Sequence, residues 1–503
     1  MKEGDVMDAQ RPVVVIGAGP VGLAAAAELV VRDLPVLVLE KGDRAGAAVS
    51  EWGHVRLFSM WRDLVGPAAE KLLTATGWRR PDDAGYPTGR EWVEAYLAPL
   101  AGVLGGRVRF GAEVTGVSRL GRDRVVDAGR GEQPFTVRLR TSIGEERILA
   151  RAVVDASGTW GTPNPVGGDG LPALGESTAA EHVSYRIPDT AGPAGRARYA
   201  GRTTAVVGKG HSALTALVGL AALAGEEPGT EAVWVLRRGE IGDAFGGGAA
   251  DQLAARGALG QRAKAAVEAG RIRVVTGFRT AEVRTERDGR LVLADEEGRE
   301  LEPVDEVVAL TGLRPDLSFL SEIRLGLDST LQAPVELAPL IDPNVHSCGT
   351  VYPHGAAELS HPEEGFFLAG MKSYGRAPTF LALTGYEQVR SIAAHLAGDR
   401  EAAARVELVL PETGVCSGGG LSEEPDAAAD SGGCCGPAPE AARESAAQEG
   451  GCCGGLAVSE VPVLSLGDHR TVPVEKTAPS AGNGCCSDPS SQQVGLGEPD
   501  RVS

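Results

Sequence analysis

Two glycine-rich loops of one design constrain this chain more than any other feature. Gly17-Ala-Gly-Pro-Val-Gly22 follows the apolar run Val13 to Ile16, and Gly208-Lys-Gly-His-Ser-Ala213 follows Ala205 to Val207. In such a strand-loop-helix unit the first glycine permits the tight turn and the second lets a pyrophosphate approach the backbone. The third small residue lets helix and strand pack closely. The pair predicts two dinucleotide sites, with Gly17, Gly19, Pro20 and Gly22 at the first and Gly208, Gly210, Ser212 and Ala213 at the second. The second strand of each unit separates the nucleotides. Val36 to Leu39 ends in Glu40, followed by Lys41, and a carboxylate there accepts hydrogen bonds from a ribose diol. Val233 to Leu236 ends in Arg237 and Arg238, which suit an adenosine 2′-phosphate through bidentate, charge-assisted contacts. The first loop therefore reads as an FAD site and the second as an NADPH site.

The pattern predicts an α/β fold of two Rossmann-like dinucleotide-binding domains followed by a disordered tail. Residues 1–200 form the first part of the FAD-binding domain, 201–331 the NADPH-binding domain, 332–416 a return segment of the FAD-binding domain and 417–503 the tail. Val153 to Gly158, Val307 to Gly312 and Gly365 to Gly370 read as strands ending in small residues, which places Gly158, Gly312 and Gly370 beside the loops. Glu51 to Leu64, with Trp52, Phe58 and Trp61, reads as a helix-rich aromatic stretch. Glu91 to Leu104 is amphipathic and leads into strands at Arg107 to Phe110 and Val114 to Ser118, and Pro378 to Leu396 reads as a helix.

With 503 residues, 43% of them hydrophobic, the chain can bury sizeable cores. A net charge of −19 without clustered Lys and Arg argues against nucleic acid and anionic membranes as partners. The longest apolar stretch, Leu23 to Val31, is broken by Glu28, and Glu3, Asp5 and Asp8 precede the first strand where a secretory leader would be basic and then apolar. The expected location is cytoplasmic.

No cysteine precedes Cys348, yet Cys434-Cys435, Cys452-Cys453 and Cys485-Cys486 are three adjacent pairs, with Cys416 upstream. This is not an extracellular disulfide framework. Residues 417–503 contain no aromatic side chain and are rich in Gly, Ala, Ser, Pro and Glu, so they cannot bury enough apolar area to offset ordering entropy. Thiolates prefer soft ions, and adjacent pairs on a pliable chain offer two thiols to one ion with a third from another pair. The six paired cysteines read as a ligand trap for a thiophilic ion, with arsenite, zinc and copper(I) as candidates.

The loop order, the Ala156-Ser-Gly158 and Thr311-Gly312 strand ends and the Arg237-Arg238 pair resemble the flavin-containing monooxygenase group of two-dinucleotide flavoproteins. The string Gly370-Met-Lys-Ser-Tyr-Gly-Arg-Ala-Pro-Thr-Phe380, with Pro411-Glu-Thr-Gly-Val-Cys416, looks more narrowly like the flavin-binding monooxygenase-like proteins of bacterial arsenic-resistance operons. The resemblance implies an NADPH-dependent flavoprotein monooxygenase. Its reduced flavin would meet O2, form a C4a-hydroperoxide and oxygenate a soft nucleophile such as trivalent arsenic. It also implies Lys372, Tyr374 and Arg376 near the flavin ring, where they would orient the nucleotide or stabilise charge.

Three departures stand beside the resemblance. Met371 occupies the place where related flavoproteins carry an Asp that holds the ribityl chain, the Phe-x-Gly-x-x-x-His signature has no copy around His182 and Tyr185, and no CxxC or CxxxxC occurs in the core. Two alternatives therefore stand: an NADPH-dependent dithiol or metal reductase using tail cysteines, and a redox-sensing flavoprotein with a metal-binding tail. His346, His354 and His361 lie near Cys348 without a tight zinc spacing and read as loop or core histidines, and His54 and His211 read as structural or solvent-facing.

Overall fold

The computed structural model describes residues 10–239, 241–248, 251, 253–345, 353–378 and 380–408. The chain opens with β1 (Val13–Ile16), β2 (Val36–Leu39) and β3 (Val108–Arg109) and continues through an antiparallel meander of β4 (Glu113–Arg119), β5 (Phe135–Thr141) and β6 (Gly144–Ala150). It then returns as β7 (Ala152–Asp155) beside β1, with Ile16 opposite Asp155. Next come β8 (Val183–Ser184), β9 (Thr203–Val207), β10 (Glu231–Val235), β11 (Ile272–Val275), the hairpin β12 (Thr280–Thr285) and β13 (Leu291–Asp295), and β14 (Glu306–Ala309). The last strand, β15 (Phe366–Leu368), rejoins β7. Among the described residues, one five-stranded sheet runs β15-β7-β1-β2-β3 and a second runs β11-β10-β9-β14-β8, and every pairing within them is parallel.

Parallel strands covered on both faces read as continuous apolar runs, and Val13 to Ile16 is such a run. Alternation sorts their side chains. In the first sheet Val13, Val15, Val38, Val154 and Phe367 face a core shared with the helices Pro20–Val30 and Ala382–Leu396. Val14, Ile16, Leu39, Val153 and Phe366 face Phe135 and Val137 of the meander. In the second sheet Val206, Trp234 and Val308 face the helices His211–Glu226 and Ala254–Glu268, while Ala205, Val207, Val233, Val235 and Val307 face the hairpin.

Two expected helices are shorter than the sequence suggested. The helix at Ala47–Glu51 ends where the aromatic stretch was expected to continue helical. Residues 55–61 instead exchange backbone hydrogen bonds with residues 85–89: Leu57 N–H to Pro87 O at 2.8 Å, Gly89 N–H to Val55 O at 2.9 Å and Trp61 N–H to Gly85 O at 3.0 Å. The helix expected over Pro378 to Leu396 starts at Ala382, because Phe380 turns in to meet the Tyr374 ring edge-on at 4.9 Å and Leu381 is extended. No helix among the described residues is long and apolar enough to cross a membrane.

Candidate functional site

At the carboxyl end of the first sheet the three glycines meet different surroundings. Gly17 has φ +99°, and a Cβ there would lie 2.9 Å from the Ala156 carbonyl. A Cβ on Gly22 would lie 2.0 Å from the Gly17 carbonyl, so the helix start and the loop touch backbone to backbone. A Cβ on Gly19 would meet nothing within 4 Å. Pro20 opens the helix, a position where its missing N–H costs nothing and its fixed φ suits the turn. The loop is thus crowded where it packs and open at Gly19, immediately before the N-terminus of the helix, which is the shape a pyrophosphate requires.

Glu40 closes this site from β2. Its buried carboxylate accepts the Ala18 N–H and the Gly42 N–H, each at 2.7 Å, and so ties the glycine loop to the turn after β2. Each carboxylate oxygen keeps a further lone pair for a ribose hydroxyl. Lys41 is exposed, with Nζ 3.6 Å from the point a Cβ on Gly161 would occupy. Gly158 has φ +70° and open space around it. The turn after β15 also reaches the first helix: Gly370 has φ +71°, and a Cβ there would press on Val21 at 3.2 Å. Gln388, which sequence reasoning missed, accepts the Gly370 N–H at 2.8 Å and donates to Ser373 Oγ at 2.9 Å.

The three residues expected near a flavin ring separate. Lys372 is fully buried, and its ammonium bonds Asp155 Oδ2 at 2.6 Å and Ser157 Oγ at 3.0 Å and lies 4.4 Å from the Phe319 ring centroid. Tyr374 is buried between His354 and Phe380, and burial pushes its phenol pKa up. Arg376 is exposed and donates to Gln332 at 2.9 Å. Asp316, past the second domain's last strand end, lies within the field of Lys372 and Lys41. Burial raises its carboxyl, but hydrogen bonds from Ser318 and these two cations hold it below its ordinary value. Asp155 was also missed; the one signal was a carboxylate inside an otherwise apolar strand.

The second loop repeats the plan. Gly208 has φ +133°, with Leu310 O only 2.3 Å from a built Cβ, Gly210 is open, and Ala213 is fully buried where the helix packs. Ser212 is exposed beside it. The indole of Trp234 holds the loop by donating to Gly208 O at 2.7 Å. Gly312 has φ +104° and backs onto Asn164. Arg237 is exposed, with Nη1 3.2 Å from Gly168 O, and Arg238 is half-buried beside it, its carbonyl accepting the Gly277 N–H at 2.6 Å. His211, first in the helix, meets the Phe58 ring edge-on at 5.6 Å; burial and then Arg256 lower its pKa, against Asp251. Phe58 thus packs on the second nucleotide loop.

Elsewhere His354 contacts Gln388 at 2.8 Å, whereas His361 accepts the Gly326 N–H at 3.3 Å and packs on Phe366. Trp61 is core, and His54 is half-buried. His346, Cys348, Cys416 and the paired Cys434, Cys435, Cys452, Cys453, Cys485 and Cys486 lie outside the described residues.

Two parallel sheets, each ending in an open glycine turn, match a known family: residues 14–338 fit the model of the pyridine nucleotide-disulphide oxidoreductases. The chain belongs to that family. It is therefore an oxidoreductase. An indole-3-pyruvate monooxygenase of Oryza sativa subsp. japonica is 31% identical over 202 residues, covering 40% of this chain and 43% of that protein, so the chain spans less than half of that relative's length. A ferredoxin–NADP reductase of Ralstonia nicotianae is 29% identical over 324 residues, covering 62% of this chain and 73% of the relative. Among solved structures, a bacillithiol disulfide reductase of Bacillus cereus superposes with TM-score 0.55 at 21% identity, over 76% of this chain and 99% of its own. The FAD-bound cadaverine monooxygenase DfoA of Erwinia amylovora gives TM-score 0.55 at 15% identity, over 80% and 98%. At these identities the structures speak for the fold alone. The expected cofactors, FAD and NADPH, agree with the family and, for the nicotinamide nucleotide, with the ferredoxin–NADP reductase.

Proposed function

We propose that the chain is an NADPH-dependent flavoprotein monooxygenase that oxygenates a soft nucleophile, with trivalent arsenic as the substrate class, and that its thiol-paired tail captures the same ion. The observation that carries the reading is the pair of open glycine turns with opposite partners, Glu40 after β2 and Arg237-Arg238 after β10. FAD fits the first because Gly19 is open while Gly17 and Gly22 are crowded, and NADPH fits the second because Gly210 is open and the second strand of that unit is followed by Arg237 and Arg238. Bound FAD, reduced by NADPH, supplies the activation of O2 that no side chain can provide.

The chain's own residues bind and orient. Gly17, Gly19, Pro20 and Gly22 would hold the FAD pyrophosphate and Glu40 its ribose, with Lys41, Gly158 and Gly370 at the edges. Gly208, Gly210, Ser212 and Ala213 would hold the NADPH pyrophosphate, Arg237 and Arg238 the 2′-phosphate, and Gly312 the close approach of the strand end. Of the candidates near the ring, Arg376 is the exposed cation available to an anionic group, and Tyr374 supports the turn from within. Oxygenation rather than thiol exchange is supported by the cysteine distribution, which leaves residues 1–347 without a thiol.

A reductase reading stands second, because the chain covers 73% of the ferredoxin–NADP reductase but only 43% of the monooxygenase. NADPH oxidation in air, with and without arsenite, separates the two when arsenate and hydrogen peroxide are both quantified. Arsenate formed in step with NADPH consumed is the expected result. Arsenite unchanged, with electrons passing anaerobically to an added disulfide or arsenate, would establish the reductase instead.

A further inference from the structure

We propose that Asp155, Ser157 and Lys372 act together as a positioning device for the first nucleotide, with the Lys372 ammonium pinning the turn after β7 to the turn after β15. The proposal rests on the reading of the first loop as an FAD site.

Asp155 ends β7, with Ile16 of β1 and Leu368 of β15 in register on either side. Its side chain and that of Lys372 are both fully shielded from solvent. Both carboxylate oxygens are engaged: Oδ1 accepts the Ser157 N–H at 3.0 Å and the Ser157 hydroxyl at 2.6 Å, and Oδ2 accepts the ammonium at 2.6 Å. Ser157 Oγ in turn accepts from Lys372 at 3.0 Å, so the three groups form a closed triangle. Desolvating two charges is expensive, and such a pair generally adds less to stability than apolar residues of the same volume would. Its value here lies in what it joins. Gly17 sits against Ala156 and Ser157, with a built Cβ 2.9 Å from Ala156 O and 3.0 Å from Ser157 Cα. Gly370, two residues before Lys372, sits against Val21 on the first turn of the glycine-loop helix. Both walls of the loop are thus tied through one ammonium, and a small shift of either wall moves Gly17 or Val21.

The test uses the full-length protein stripped of FAD, with FAD rebinding followed by flavin fluorescence and the Tm of the apoprotein measured alongside. Lys372→Met leaves a buried carboxylate uncompensated and should lower both Tm and FAD affinity. Adding Asp155→Asn removes that charge, so the double variant should recover most of the Tm while its Kd for FAD stays raised about tenfold or more. A double variant with recovered Tm and wild-type Kd would show a purely structural pair and overturn the proposal. Ser157→Ala, at an exposed position, is the milder change: Kd should rise severalfold with a loss of Tm well below that of Lys372→Met, and the effect on Kd should vanish in the double-variant background. An unchanged Kd, or an effect that persists in that background, would also overturn it. Wild-type protein that binds no FAD would instead sink the FAD reading of the first loop, a distinct outcome.

Discussion

Gly19 and Gly22 make opposite demands although they belong to one motif. A methyl at position 19 has free space, whereas one at 22 would meet the Gly17 carbonyl at 2.0 Å. Gly19→Ala should leave Tm unchanged and raise the Kd for FAD at least tenfold, because the methyl stands where a pyrophosphate must approach. Gly22→Ala should lower both Tm and FAD content, since the loop itself must move. Fluorescence titration with parallel thermal melts reads both, and a Gly19→Ala protein with wild-type affinity would remove the pyrophosphate from this turn. His361 offers a test by pH. Burial holds its pKa down to about 4, so the folded state keeps it neutral while the unfolded chain takes a proton near the ordinary value of 6.5. Its cost is therefore absent above pH 6.5 and grows as pH falls toward 4, at about 1.4 kcal/mol per unit. His361→Leu should flatten the fall of the urea midpoint between pH 6.5 and 4, while losing some stability at pH 7.5 through the orphaned Gly326 N–H. Parallel pH profiles would place the acid sensitivity elsewhere.

Among elements, the meander is held to the return segment by charge. Glu363, just before β15, accepts from Arg119 of β4 at 2.8 Å and from Arg130 at 2.6 Å, with all three residues buried and the Arg119 guanidinium 3.7 Å from the Phe135 ring centroid. Burial pushes the Glu363 carboxyl up, but hydrogen bonds from Arg130 and Arg119 outweigh it and hold its pKa below the ordinary value. Its contribution is therefore present above pH 4.5 and lost as pH falls through the folded pKa. Glu363→Gln leaves two buried guanidinium groups without a counter-charge and should cost about 3–5 kcal/mol in urea unfolding, with FAD affinity changed little in the protein that remains folded. A loss under 1 kcal/mol would mean that solvent already screens the triad. This link was invisible in the sequence, as was the shape of residues 51–64. Strands with short continuous apolar runs announced themselves, because burial on both faces leaves no other pattern. The aromatic stretch has no period of its own, and its backbone partners at 85–89 supply the hydrogen bonds that helix would otherwise have made.

For the whole molecule, the parts legible in advance are those whose chemistry is local. Each glycine loop, the acidic or basic end of its second strand and the paired cysteines occupy a few consecutive residues, so sequence alone carries them. Asp155 and Lys372 lie 217 positions apart, and no local pattern joins them; parallel pairing of β7 with β15 brings them together. The tail belongs to the local kind, and its chemistry is testable in the intact chain. If the paired cysteines capture arsenite three thiolates at a time, six thiols hold about two ions per chain. Because the thiolate is the ligand and a free thiol titrates near 8.5, retention should rise between pH 6.5 and pH 8.5. Replacing the six paired cysteines by serine in the full-length protein should abolish retention after desalting, measured as arsenic per chain, and leave NADPH-dependent flavin reduction unchanged, because no residue assigned to either nucleotide lies beyond Lys372, Tyr374 and Arg376. Arsenic retained by the serine variant would move capture to Cys348 and Cys416, and retention indifferent to pH would exclude thiolate as the ligand.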